Sequence, residues 1–132
     1  MIWLFILFTM ISLDSASSPE DFVWKNRILI YSGPGDLSPW LDESQKKSLI
    51  DRKLLYFFFE KGKLIESNFD GKIEEMPFLK KLNQGDESQE KWVLIGLDGG
   101  VKNSGYATPL PDEVFRIIDA MPMRQSEIKR KD

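Results

Sequence analysis

Six consecutive apolar residues, Leu54-Leu55-Tyr56-Phe57-Phe58-Phe59, constrain this chain more than any other feature. The run is too short for a self-standing helix and has no polar position to turn towards water, so it predicts a central strand buried on both faces. Ile28-Leu29-Ile30-Tyr31, stopped by Ser32-Gly33-Pro34-Gly35, and Trp92-Val93-Leu94-Ile95-Gly96-Leu97 are of the same kind. Strands buried on both faces need helices on both sides of the sheet. Ser38-Pro39 fits a cap and first helical position, and Trp40, Leu41, Gln45, Ser48 and Leu49 line one face as far as Asp51. Pro77 opens a short helix carrying Phe78, Leu79 and Leu82, and the polar stretch from Gln84 to Lys91 reads as a loop. Lys63 to Ser67 fits a short extra strand between the turns Lys61-Gly62 and Asp70-Gly71. Asp98-Gly99-Gly100 predicts a two-residue reversal into a strand over 101–106. Pro111-Asp112-Glu113 begins a last helix with Val114, Ile117, Ile118 and Met121 on one face; Pro122 is expected to end or kink it, and the charged residues 125–132 are expected to fray.

A length of 132 residues suits one domain. Cysteine and histidine are both absent, which removes thiol redox chemistry, Ser-His-acid and Cys-His catalysis, and nearly all zinc sites. A net charge of -3 gives no positive field for phosphate backbones, so nucleic acid is not an expected partner. Ile2 to Leu13 is an apolar run of secretory length followed by Ser15, Ala16, Ser17 and Ser18. Residues 1–17 are therefore expected to be a signal peptide cleaved after Ser17, and 18–132 the mature domain, secreted or periplasmic. A membrane partner is expected only if that segment stays uncleaved as an anchor; no basic residue precedes the run.

The order strand, helix, strand, helix, strand, strand, helix is that of a single thioredoxin-like α/β domain, here lacking any Cys-x-x-Cys. Three segments carry a further resemblance. Phe22-Val23-Trp24-Lys25-Asn26-Arg27-Ile28-Leu29-Ile30, Val93-Leu94-Ile95-Gly96-Leu97-Asp98-Gly99-Gly100-Val101-Lys102 and Ile118-Asp119-Ala120-Met121-Pro122-Met123-Arg124 are similar to a secreted bacterial family known only as a domain of unknown function. That domain resembles modules of animal sushi-repeat secreted proteins and of the equarin and Drs/Urb extracellular proteins, for which a thioredoxin-like fold has been proposed. Leu97 departs from the pattern, since the family often has Lys there. The resemblance implies no catalytic residues.

Several residues are candidates for binding. The loop Ser32-Gly33-Pro34-Gly35-Asp36 sits where thioredoxins hold their cysteines, with Asp36, Ser38 and Trp40 expected at its rim; a plain turn and helix cap is the favoured reading. Asp98, Lys102, Asp119 and Arg124 are the charged members of the two closing motifs, and pairs fixing the hairpin on the last helix are favoured over a polar-ligand site. The acid pairs Asp42/Glu43, Glu74/Glu75 and Asp112/Glu113 are adjacent in sequence, do not face each other on a helix, and are expected to be solvated. Met121 and Met123, even with Met76, are too few for a copper(I) site, and core packing beside the last helix is expected for the pair; for Trp24, Trp40 and Trp92 burial is expected over a stacking surface for a sugar or a partner. No metal or cofactor is implied. The expected function is that of an exported, non-redox, non-enzymatic interaction module whose partner is an unidentified protein or extracellular component. The competing reading is a ligand-binding protein or carboxylate/lysine enzyme with a site near Asp98 or Asp36.

Overall fold

The computed structural model describes residues 15–82 and 90–131. A single 3-10 turn, Pro19–Phe22, leads into β1 (Arg27–Ser32), two short helices α1 (Ser38–Leu41) and α2 (Gln45–Asp51), and the hairpin β2 (Leu54–Glu60) and β3 (Lys63–Ser67). Then follow α3 (Glu75–Lys81), β4 (Lys91–Ile95), β5 (Val101–Gly105), α4 (Pro111–Asp119) and α5 (Pro122–Lys131). The strands form one sheet in the order β3-β2-β1-β4-β5, with β1 and β2 parallel and every other pair antiparallel. The three apolar runs are thus its three central strands, as their composition predicts.

Every residue of β1 is buried. Alternation along the strands sorts the apolar side chains onto two faces. Leu29, Tyr31, Tyr56, Phe58, Trp92 and Leu94 pack against Trp40, Leu49, Val114, Phe115 and Ile118 from α1, α2 and α4. Ile28, Ile30, Phe57, Phe59, Val93 and Ile95 pack against Phe22, Phe78 and Leu82. Register makes these faces coherent: Tyr31 lies opposite both Phe58 and Trp92, and the Tyr31 and Phe58 rings meet edge to face at 6.0 Å. With no cysteine to staple it, the domain is held by this aromatic core, in which each large ring buries about 150–250 Å².

Local chemistry overrides the sequence expectation in four places. The helix expected over 38–51 is broken, because Asp42 adopts an extended conformation and its carboxylate accepts the Ser44 N–H at 3.1 Å, giving the backbone a turn in place of a continued helix. The charged stretch expected to fray is helical over 125–131: Pro122 opens α5, which runs to Lys131, and Arg124 in its first turn is buried. The Asp98 connection spans residues 96–100, closed by Gly96 N–H to Gly100 O at 2.9 Å, and of its last two glycines only Gly99 has a positive φ, 87°. Of the residues expected in the core, Trp40 and Trp92 are buried and Met121 packs against it, but Trp24 and Met123 are exposed. The apolar run of residues 2–13 and nearly all of the predicted 84–91 loop lie outside the described residues. Ser17 is within them, bridging to Ile73 through bonds to Lys72 O and Glu74 N.

Candidate functional site

The corner beyond the carboxyl end of β1 is where this topology places a helix-opening loop beside the sheet. Tyr31 is fully buried there, and its hydroxyl donates to Glu90 Oε2 at 2.5 Å and accepts the Gly35 N–H at 2.8 Å. Thr108, just before α4, donates to the same Glu90 oxygen and lies 3.4 Å from the Tyr31 hydroxyl. Gly33 and Gly35 are required by proximity: a Cβ on Gly33 would sit 2.6 Å from the Tyr31 oxygen, and one on Gly35 2.7 Å from it and against Thr108. Burial, and donation of its proton to Glu90, push the Tyr31 phenol up, against the opposing effect of the nearby Thr108 hydroxyl and of the Gly35 N–H. A buried phenol held protonated and fully partnered is a lock between loops; it is neither a base nor a nucleophile.

Asp36 stands on the surface of this corner, where its carboxylate accepts from the Ser38 hydroxyl at 2.6 Å and the Ser38 N–H at 3.1 Å. Those bonds hold its carboxyl below the usual range, so it is a permanent anion serving as a turn former. Trp40, expected at the rim, is instead 1% exposed and its indole N–H donates to Pro109 O at 2.8 Å. An indole surrounded by Tyr56, Phe58 and Phe115 rings at 5.7–6.0 Å belongs to the core.

The other four candidates lie towards the opposite end of the sheet, where Ile28 pairs with Ile95 and Arg27 with Leu54. Asp98 and Lys102 form an exposed pair at 2.8 Å within the hairpin, and Asp98 also accepts the Gly100 N–H. The Lys102 hydrogen bond and that N–H lower the Asp98 carboxyl. Beside the hairpin, Trp24 is exposed at a φ of 68° and its N–H donates to Leu97 O, tying the strand entry to the turn.

Asp119 and Arg124 enter a separate cluster of three guanidinium and three carboxylate groups. Arg124, 3% exposed, donates to Asp119 at 3.0 Å, to Asp51 Oδ2 at 2.7 Å and Asp51 O at 3.1 Å, and to Glu127 at 3.3 Å. Arg52 holds Asp119 through two bonds of 3.0 and 2.8 Å and lies over the Phe115 ring at 4.5 Å. Arg27, 1% exposed, reaches Arg52 O at 2.9 Å and Glu127 at 3.3 Å. The cluster clamps α4 and α5 onto α2 and the start of β2. The motif charges therefore pair as two separate sets, one inside the hairpin and one between helices. The sequence reading missed Tyr31, Glu90, Thr108, Arg27 and Arg52; only Arg27, abutting an apolar run within a family-like segment, carried a local signal.

Among solved structures the chain is similar to the reduced 2-Cys peroxiredoxin of Plasmodium vivax, with a TM-score of 0.55 and 18% identity over 81% of this chain and 71% of that one. At that identity the likeness shows the fold, which is thioredoxin-like, and no more. Among curated proteins none matches. A family model does match residues 18–127, nearly the whole described fold, and by that match the chain belongs to the family defined as a domain of unknown function (DUF4174).

Proposed function

We propose that this protein is an exported, non-redox, thioredoxin-like module that works by binding another protein or an extracellular component. The observation that carries the reading is the closed corner at Gly33-Pro34-Gly35, where a thioredoxin-like fold would place its sulfur chemistry. Here the position is occupied by two glycines packed on the Tyr31 hydroxyl, with Glu90 and Thr108 completing the hydrogen bonding. A thioredoxin-like scaffold without cysteine retains the surface of the fold and none of its electron transfer. Export is supported by the apolar run Ile2 to Leu13 and the small residues after it, and by the resemblance to secreted proteins.

Two measurements test this. Purified full-length protein is offered insulin disulfides with a reductant, and separately hydrogen peroxide; turnover above the protein-free blank overturns the non-redox reading. Intact mass of the protein from its native host is expected to show loss of about 17 residues, the length of a short signal peptide. A retained Met1 would show that the segment is an anchor.

A further inference from the structure

The sheet face that carries α1, α2 and α4 is left open on one side. Between the two short helices and the β2–β3 hairpin lies a groove of about 450 Å³. Trp40, Leu49 and Tyr56 form its floor, and Leu41 and Ile50, 51% and 73% exposed, stand at its side. Asp42, Glu43, Glu66 and Asp70 ring it. The single cation there, Lys46, lies 3.3 Å from Glu43 and is taken up by it. Glu66 faces Phe58 across the hairpin, which puts it on the same side of the sheet as Tyr56.

Tyr56 is the second observation. It is 4% exposed, and its ring stacks on Phe58 at 4.4 Å, yet its hydroxyl has no hydrogen-bond partner among the described residues. The hydroxyl of Tyr31, on the same face of the sheet, is by contrast bonded to Glu90 and Gly35. The Tyr56 hydroxyl is open to the groove and not sealed in the core, since the one buried side-chain polar atom left without a partner among the described residues is Arg27 Nε; a docked donor can therefore reach it. The burial of Tyr56, and after it the negative charge of Glu66, raise its phenol, so the oxygen is protonated near neutral pH and still has lone pairs for a cationic donor. The ligand is not a bare metal ion, because among the described residues no three acid side chains converge to hold one. Acids spread around an apolar floor match a cation on an apolar stem, beside further apolar surface.

We infer that this groove docks an extended basic peptide segment of a partner protein, with a Lys or Arg head group on the Tyr56 hydroxyl and the Glu66 carboxylate and a neighbouring apolar side chain against Leu41 and Ile50. This rests on the reading of the protein as a binding module and names the chemistry of its partner.

The test titrates the full chain with the peptide acetyl-Leu-Arg-Leu-Lys-amide, following Trp40 and Tyr56 signals by NMR. Acetyl-Leu-Glu-Leu-Glu-amide and spermidine serve as controls. The basic peptide is expected to shift those signals and the acidic one to leave them unmoved. Glu66→Gln combined with Asp70→Asn, both outside the core, is expected to weaken binding about tenfold, the scale of one charge-assisted contact. Tyr56→Phe is expected to weaken it about threefold while leaving the unfolding midpoint at or above wild type, since it deletes an unpartnered hydroxyl. Absence of binding at millimolar peptide, or binding unchanged in both variants, overturns the inference. Spermidine binding as tightly as the peptide overturns it too, by reducing the groove to a diffuse negative field. Such failures leave the redox assays untouched, so they are distinguishable from failure of the module reading itself.

Discussion

Replacing Arg124 by Met tests whether the closing sequence motif is a structural clamp. Removing one partner of a buried ion pair costs about 3–5 kcal/mol, because the remaining charge stays in a poorly solvated site. The Asp51 and Asp119 side chains are 32% and 36% exposed, so water takes over part of the lost interaction, and Glu127 and Asp119 keep Arg27 and Arg52 as partners. A loss of about 2–3 kcal/mol is expected after that screening, a large share of a typical domain stability of about 5–15 kcal/mol. Thermal unfolding should fall by roughly 10–15 °C. Arg124→Lys should recover only a minority of this, since an ammonium cannot reach Asp51 and Asp119 at once through a planar fork. The acid limb gives a second signature. Burial pushes the Asp119 carboxyl up, but hydrogen bonds from Arg52 and Arg124 and their charges outweigh it and hold the group below the ordinary carboxylate range. A carboxylate so depressed stabilises the fold fully above its unfolded value of about 3.9 and loses that contribution as pH falls through the lower folded value. In Arg124→Met the burial remains and one opposing partner is gone, so acid unfolding should begin at a higher pH than in wild type. Urea unfolding of the three proteins across pH 3–7 measures both effects. A midpoint within error of wild type, with an unmoved acid limb, would refute the clamp.

Tyr31→Phe should cost about 1–3 kcal/mol in urea unfolding, because Gly35 N–H and Glu90 lose a buried partner, in contrast to the neutral Tyr56→Phe. Gly35→Ala forces its methyl against Thr108 and the Tyr31 hydroxyl, and overpacking of that kind costs about 1–3 kcal/mol; wild-type stability would show that the corner is loose. Gly99→Ala should lose about 1–2 kcal/mol, from a φ of 87° and a Cβ 3.0 Å from Val23, whereas Gly100→Ala meets only ordinary contacts and should unfold like wild type; equal losses would refute the turn geometry. Asp98→Asn should melt with wild type, since an amide oxygen still accepts the Gly100 N–H and the exposed Lys102 pair is weak.

The fold was legible where composition left one outcome. Phe57 and Phe58 have to go to opposite faces of a strand, and a chain with apolar side chains on both faces of β1, β2 and β4 has to cover both. Boundaries failed where a polar side chain competed with the backbone, as at Asp42, whose bond to Ser44 stops α1. They failed again at Pro122, expected to end or kink the last helix, because a proline is equally suited to the first position of a new one; Arg124 in that new helix reaches four acceptor atoms.

The candidate sites were less legible, because the groups that define them are distant in sequence and ordinary one at a time. Tyr31 looks like the last residue of an apolar run, Thr108 like a loop threonine and Glu90 like one more acid in a polar stretch; only the β1–β4 pairing and the packing of α4 bring them together. The same holds for the groove, whose acids come from the α1–α2 connection, from β3 and from the turn after it. Recognisable motifs pointed the other way, to Asp98, Asp119 and Arg124, which the geometry uses to hold the hairpin and the last two helices in place. In a domain with no disulfide, the charges of the family-like segments hold the hairpin and the last two helices at one end of the sheet. A surface that binds a partner is therefore to be sought where the motifs are not, at a groove such as the one floored by Tyr56, whose hydroxyl no described side chain engages.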